Sequence, residues 1–93
     1  MVHAMPKTIL DHIGNTPLVP LRHISAGLKF PIYGKCEHLN PAGSIKDRLA
    51  LSVVTDAEQR GVLTPGATMV EATAGNTGQG LALVATVKGY KLV

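Results

Sequence analysis

Apolar residues recur along the chain in two rhythms, one helical and one extended, and their alternation predicts the architecture. Ile45, Leu49, Val53 and Ala57 stand four apart with Leu51 and Val54 beside them, which predicts a helix starting just after Ser44 and ending at Gly61. Ser44 with Asp47 three residues on has the form of a capping box. A second helix is predicted over residues 77–88, rich in Ala, Leu and Val and closed by Gly89. Extended runs fall at residues 32–37, 68–71 and 90–93, separated by turn chemistry at Asn40-Pro41 and Thr64-Pro65-Gly66. Upstream, residues 8–13 suit a helical turn, Gly14-Asn15-Thr16-Pro17 a turn, and residues 18–21 an extended piece that Pro20 confines to an edge. The order from residue 32 is β-α-β-α-β, which predicts an α/β fold with a parallel sheet and the apolar residues 81–85 packed against it.

Composition adds limits. At 93 residues the chain suits one small domain, and 45% hydrophobic with 16% charged residues marks it as globular. Aromatics are confined to Phe30, Tyr33 and Tyr90, so burial must come from Val, Leu, Ile and Ala. The last extended run has no turn after it and would leave an open edge, so residues 1–93 are expected to be one part of a longer polypeptide. Residues 1–4 read as a natural or an added start, with Met5 an alternative.

The net charge of +3 comes from scattered Lys and Arg with no interleaved aromatics, so no nucleic-acid surface is expected. No apolar run approaches the ~18–20 residues that span a bilayer, and no membrane association is expected. Cys36 is the only cysteine, which excludes an internal disulfide and fits a cytoplasmic location. His3, His12, His23 and His38 lack zinc-ligand spacing, and each reads as a surface or hydrogen-bonded residue.

Two segments carry candidate chemistry. Asn40-Pro41-Ala42-Gly43-Ser44-Ile45-Lys46-Asp47-Arg48 runs from a turn into a helix and sets a lysine in its first turn. A cation there is unfavourable by ~0.3–1 kcal/mol, a bias toward the neutral amine that attacks aldehydes but too small alone, so burial and nearby cations would have to supply the rest. An ordinary solvated lysine is the alternative, and Arg48 reads as structural. Glu71-Ala72-Thr73-Ala74-Gly75-Asn76-Thr77-Gly78-Gln79-Gly80 places a glycine-rich loop between a strand and a helix, where exposed N–H groups suit a carboxylate or phosphate. Its glycine order fails the G-x-G-x-x-G dinucleotide fingerprint, and neither a phosphate loop nor a G-x-S-x-G elbow is present.

With Ile13-Gly14-Asn15-Thr16-Pro17-Leu18-Val19 and Lys35-Cys36-Glu37, these blocks resemble the cysteine synthase and cystathionine β-synthase family, pyridoxal-phosphate enzymes of fold type II. The resemblance implies a three-layer α-β-α fold with a mostly parallel sheet, of which this chain is an N-terminal portion. It implies that Lys46 holds pyridoxal 5'-phosphate, that Asn76 hydrogen-bonds the 3′ oxygen of its ring, and that Thr73, Ala74, Gly75 and Thr77 grip the substrate carboxylate. Ala74 departs from the serine of many members, and the family's glycine-threonine phosphate loop lies outside these residues. The implied reaction is β-replacement on an activated serine, O-acetylserine with sulfide giving cysteine, in a cytoplasmic homodimer of the full-length chain. The sibling reaction, serine or O-acetylserine with homocysteine, shares these motifs. A non-catalytic binding module of the same fold and a nucleotide-binding domain are the readings from other classes.

Overall fold

A computed structural model describes residues 5–93; the start at residues 1–4, His3 included, lies outside the described residues. Thr8 caps the first turn: its hydroxyl accepts from the Leu10 N–H at 3.2 Å while the Asp11 carboxylate accepts from the Thr8 N–H at 3.2 Å. This reciprocal cap winds Ile9–His12 into a 3-10 turn and turns Leu10 inward. Two strands follow, β1 (Leu18–Pro20) and β2 (Tyr33–Lys35). The long helices are α1 (Lys46–Gln59) and α2 (Asn76–Lys88), and the strands β3 (Thr68–Met69) and β4 (Lys91–Leu92) flank α2.

The two helices run side by side in the same direction. Near their starts, Gly80 of α2 lies against the Lys46 main chain. Near their ends, Lys88 donates to Glu58 at 2.7 Å, and the Tyr90 hydroxyl donates to the same carboxylate at 2.6 Å. Between these ties lies the core of Leu10, Ala50, Val54, Leu81 and Val84, with Leu51, Leu63, Met69 and Leu92 packed around it. Val54 and Val84 are fully enclosed. Gly61 and Gly89 end the helices at φ +73 and +79, the left-handed conformation that glycine adopts without a steric cost.

The α/β class is as expected, while the strand partners differ in part. β3 and β4 pair in parallel, Thr68 opposite Lys91, as a crossover through α2 requires. β2, expected to begin that sheet over residues 32–37, pairs instead antiparallel with β1, Leu18 opposite Lys35. Only a 12-residue return joins Pro20 to Tyr33, so β1 and β2 meet head to tail, and no helix intervenes to carry the chain back in parallel. Pro20, with no N–H, sits at the end of β1, as its chemistry requires. The β2 run is also shorter than expected, since Glu37–Leu39 leaves it as a 3-10 turn.

The start of α1 departs from the expected capping box. The Ser44 hydroxyl accepts from the Lys46 N–H at 3.1 Å, but the Asp47 carboxylate reaches past Ser44 to the Ala42 N–H at 2.6 Å. Gly43, at φ +94, folds the turn back over the helix start and brings Ala42 within reach. Asp47 is thereby fully buried.

Candidate active site

Lys46 is the first residue of α1 and its side chain is exposed. Asn76 is the first residue of α2, and Thr77 the second. Thr73, Ala74 and Gly75 form the exposed loop between β3 and α2. The loop is shaped by Thr73: its hydroxyl accepts from the Gly75 N–H at 3.2 Å, and its methyl occupies the space that a side chain at Gly78 would need, 2.6 Å from an ideal Cβ there.

The two segments meet through one glycine. An ideal Cβ at Gly80 would stand 2.9 Å from the Lys46 carbonyl oxygen and 3.3 Å from the Ala50 Cβ. Only a hydrogen at that position lets the first turns of α1 and α2 touch main chain to side. Gly80 is four residues after Asn76, so it stands one helical turn above the start of α2. Lys46 and the residue 73–77 loop therefore share one end of the helix pair.

That end is open to a ligand. Gly75 brings no side chain to the start of α2, and no side chain caps it. The leading N–H groups of a helix have no intrahelical acceptor, so those of Asn76 and its neighbours are free for an external anion, with the helix dipole adding to the attraction. An exposed primary amine beside an uncapped helix start fits an aldehyde cofactor and a substrate carboxylate together. Among the described residues, no three His, Cys, Asp or Glu side chains gather as a metal site. His12, His23 and His38 are exposed, and Cys36 is half-buried beside β2.

Behind the lysine lies a polar knot that sequence reasoning missed. Arg48 donates through Nε and Nη2 to the Glu37 carboxylate, the Nη2 contact being 3.1 Å, and from Nη2 to the Gly14 carbonyl at 2.9 Å. The Thr16 hydroxyl donates to the same carboxylate. Asn40, buried, donates from Nδ2 to the Ser44 carbonyl at 3.0 Å, and its Oδ1 accepts from the Gly14 N–H at 2.8 Å. The Arg48 guanidinium above all, then the Thr16 hydroxyl, holds the Glu37 carboxyl down at about 2, against a burial effect in the other direction. The signal in the sequence was that Thr16, Glu37 and Asn40 are polar residues within the 13–19, 35–37 and 40–48 segments that carry the resemblance.

Residues 9–93 match the family profile described as "Pyridoxal-phosphate dependent enzyme". The chain is 59% identical over 87 residues to cysteine synthase 1 of Neurospora crassa, which covers 94% of this chain and 23% of that one. It is 55% identical over 87 residues to cystathionine beta-synthase of Apis mellifera, covering 91% of this chain and 17% of that one. A solved hydrogen sulfide-producing enzyme from Fusobacterium nucleatum superposes with a TM-score of 0.86 at 43% identity, covering 98% of this chain and 30% of that one. The chain thus spans about a fifth of the length of these two curated relatives.

Proposed function

The chain belongs to the pyridoxal-phosphate dependent enzymes, and from that premise we propose that it supplies the cofactor lysine and the carboxylate cradle of a cysteine synthase. Residues 1–93 form the N-terminal part of the catalytic domain, and the loop that binds the cofactor phosphate belongs to the rest of that domain. The observation that carries the reading is the contact at Gly80, which sets the Lys46 turn against the uncapped start of α2.

When bound, pyridoxal phosphate supplies an aldehyde that condenses with amines and a conjugated ring that spreads negative charge. Lys46 Nζ would hold it, and the same amine when free would be the base for the proton on the substrate α-carbon. Asn76 would donate from its side-chain amide to the ring's 3′ oxygen. Thr73, Ala74, Gly75 and Thr77 bind the substrate carboxylate, and at Ala74 only the backbone N–H contributes. Loss of the β-substituent followed by addition of sulfide converts O-acetylserine to cysteine. Homocysteine as the nucleophile is the second reading, supported by the 55% identity to a cystathionine beta-synthase. The full-length protein is proposed to act in the cytoplasm as a homodimer. A monomer by light scattering at assay concentration refutes the dimer, and recovery in the membrane or extracellular fraction refutes the location.

Borohydride reduction of the full-length protein with pyridoxal phosphate, followed by peptide mass mapping, is expected to place the adduct on Lys46 and to lose it in Lys46→Ala. An adduct elsewhere overturns the assignment. Product formation with sulfide exceeding that with homocysteine is expected; the reverse selects the second reading.

A further inference from the structure

The turn that carries Lys46 is gripped on both sides. Two residues before the lysine, the Ser44 carbonyl is held by Asn40 Nδ2 at 3.0 Å. Two residues after it, Arg48 is held by Glu37 and by the Gly14 carbonyl, the latter at 2.9 Å. Asn40 and Arg48 close on the same residue, since Asn40 Oδ1 takes the Gly14 N–H and Arg48 takes its carbonyl. Gly14 stands at φ +87, and a Cβ there would meet Arg48 Nη1 at 2.9 Å, so the guanidinium packs directly against the turn. The knot thus joins residues 14, 16, 37 and 40 to 44 and 48, and only Lys46 and its immediate neighbours lie between the last two.

Stability alone does not account for such an arrangement. The Arg48 side chain is 42% exposed, and an exposed ion pair contributes little to a fold. A forked guanidinium–carboxylate contact does fix orientation. α1 is anchored along its length by Ala50, Val54 and the Glu58 tie, and at its start by Asp47 on the Ala42 N–H and by Gly80 against the Lys46 main chain; the fork adds a hold on the first turn from the side of residues 14 and 37. With Cα atoms at about 2.3 Å from the axis and a lysine stem of roughly 6 Å, a rotation of ~10° displaces the amine by ~1.4 Å. A displacement of that size costs a reacting group up to about 100-fold.

We propose that Glu37 and Arg48 are positioning residues for the Lys46 amine, the fork between them fixing the azimuth of the first turn of α1 so that Nζ faces the uncapped start of α2. The proposal rests on the reading of Lys46 as the cofactor lysine. It assigns no contact between either residue and the cofactor. The knot touches Lys46 only through the main chain of Ser44 and the helix that Arg48 shares with it.

The test measures how fast Lys46 is labelled, not turnover. Apo full-length protein is mixed with pyridoxal phosphate and quenched with borohydride at intervals, and the Lys46 peptide is quantified. The neutral amine adds to the aldehyde carbon, the carbonyl oxygen leaves as water, and borohydride delivers hydride to the carbon of the new C=N bond while the nitrogen takes a solvent proton. Glu37→Gln and Arg48→Gln remove the fork at opposite ends, and Arg48→Lys keeps the charge without it. Glu58→Gln breaks the tie at the far end of α1 and controls for lost stability. The expected result is labelling about tenfold slower in Glu37→Gln and Arg48→Gln, with Arg48→Lys at least twofold slower and Glu58→Gln within twofold of wild type. If Arg48→Gln does not fold, Glu37→Gln and Arg48→Lys carry the measurement. Wild-type rates in the knot variants, or equal slowing in Glu58→Gln, overturn the positioning role while leaving the cofactor reading intact. No label on Lys46 in the wild type overturns both.

Discussion

Gly80→Ala tests the contact that brings the two candidate segments together. The added Cβ would lie 2.9 Å from the Lys46 carbonyl oxygen, 3.1 Å from its carbon and 3.3 Å from the Ala50 Cβ. Two of these atoms are helix main chain and the third is fixed directly to it, so no side-chain rotation relieves the overlap, and α1 and α2 must move apart at their starts. Overpacking of this kind costs about 1–3 kcal/mol. Against it, replacing a helix-interior glycine with alanine returns about 1 kcal/mol. The net expectation is a loss of up to about 2 kcal/mol, with Lys46 labelling slowed because its main chain is what is pushed. The sign discriminates: were the helices not in contact, the substitution would stabilise. Gly78→Ala is the comparison, since its Cβ would meet the tip of the Thr73 side chain at 2.6 Å, a loop group that can swing away at the expense of its bond to the Gly75 N–H. Urea unfolding of the full-length protein gives the stabilities, and timed borohydride trapping gives the labelling rates. A Gly80→Ala protein that gains about 1 kcal/mol and labels at the wild-type rate would refute the reasoning.

Glu37 titrates at about 2 in the folded chain, held down by Arg48 first and Thr16 next, and near 4.3 when unfolded. Its contribution to stability is therefore complete above the unfolded value and is lost as pH falls from there through 2; in Glu37→Gln the acid limb of a stability–pH curve should flatten in that window alone, and an unchanged limb would count against the knot. The Tyr90 phenol is raised above its ordinary value, chiefly by its hydrogen bond to Glu58. Glu58→Gln should bring its ultraviolet titration to lower pH, and no movement would show that the bond does not persist in solution. Val84 is fully buried between the helices, and Val84→Ala should cost about 2 kcal/mol by urea unfolding; a loss under about 0.5 kcal/mol would mean that the core relaxes around the gap.

Both helices and their ends were legible in the sequence, because helical spacing and a closing glycine are local properties. Gly61 and Gly89 end the helices at positive φ, as the pattern required. The parallel pair β3 and β4 was legible too, but the partner of β2 was not. Residues 32–37 read as a strand from composition, but nothing in those residues distinguishes a partner twelve residues upstream from one across a helix, and the observed pairing is with β1. The cap of α1 failed for a related reason. Ser44 and Asp47 have the right spacing for a reciprocal box, yet Gly43 at φ +94 bends the preceding turn and presents the Ala42 N–H to the carboxylate first. The lysine and the glycine-rich loop could each be found in the sequence, whereas their proximity was implied only by the family resemblance, since physically it depends on Gly80 lying across from Lys46. Arg48 shows the limit most clearly. The sequence reads it as a structural residue, but its partners could not be read there, because the turn at residue 14, the strand end at residue 37 and the loop at residue 40 converge on it from separate parts of the chain.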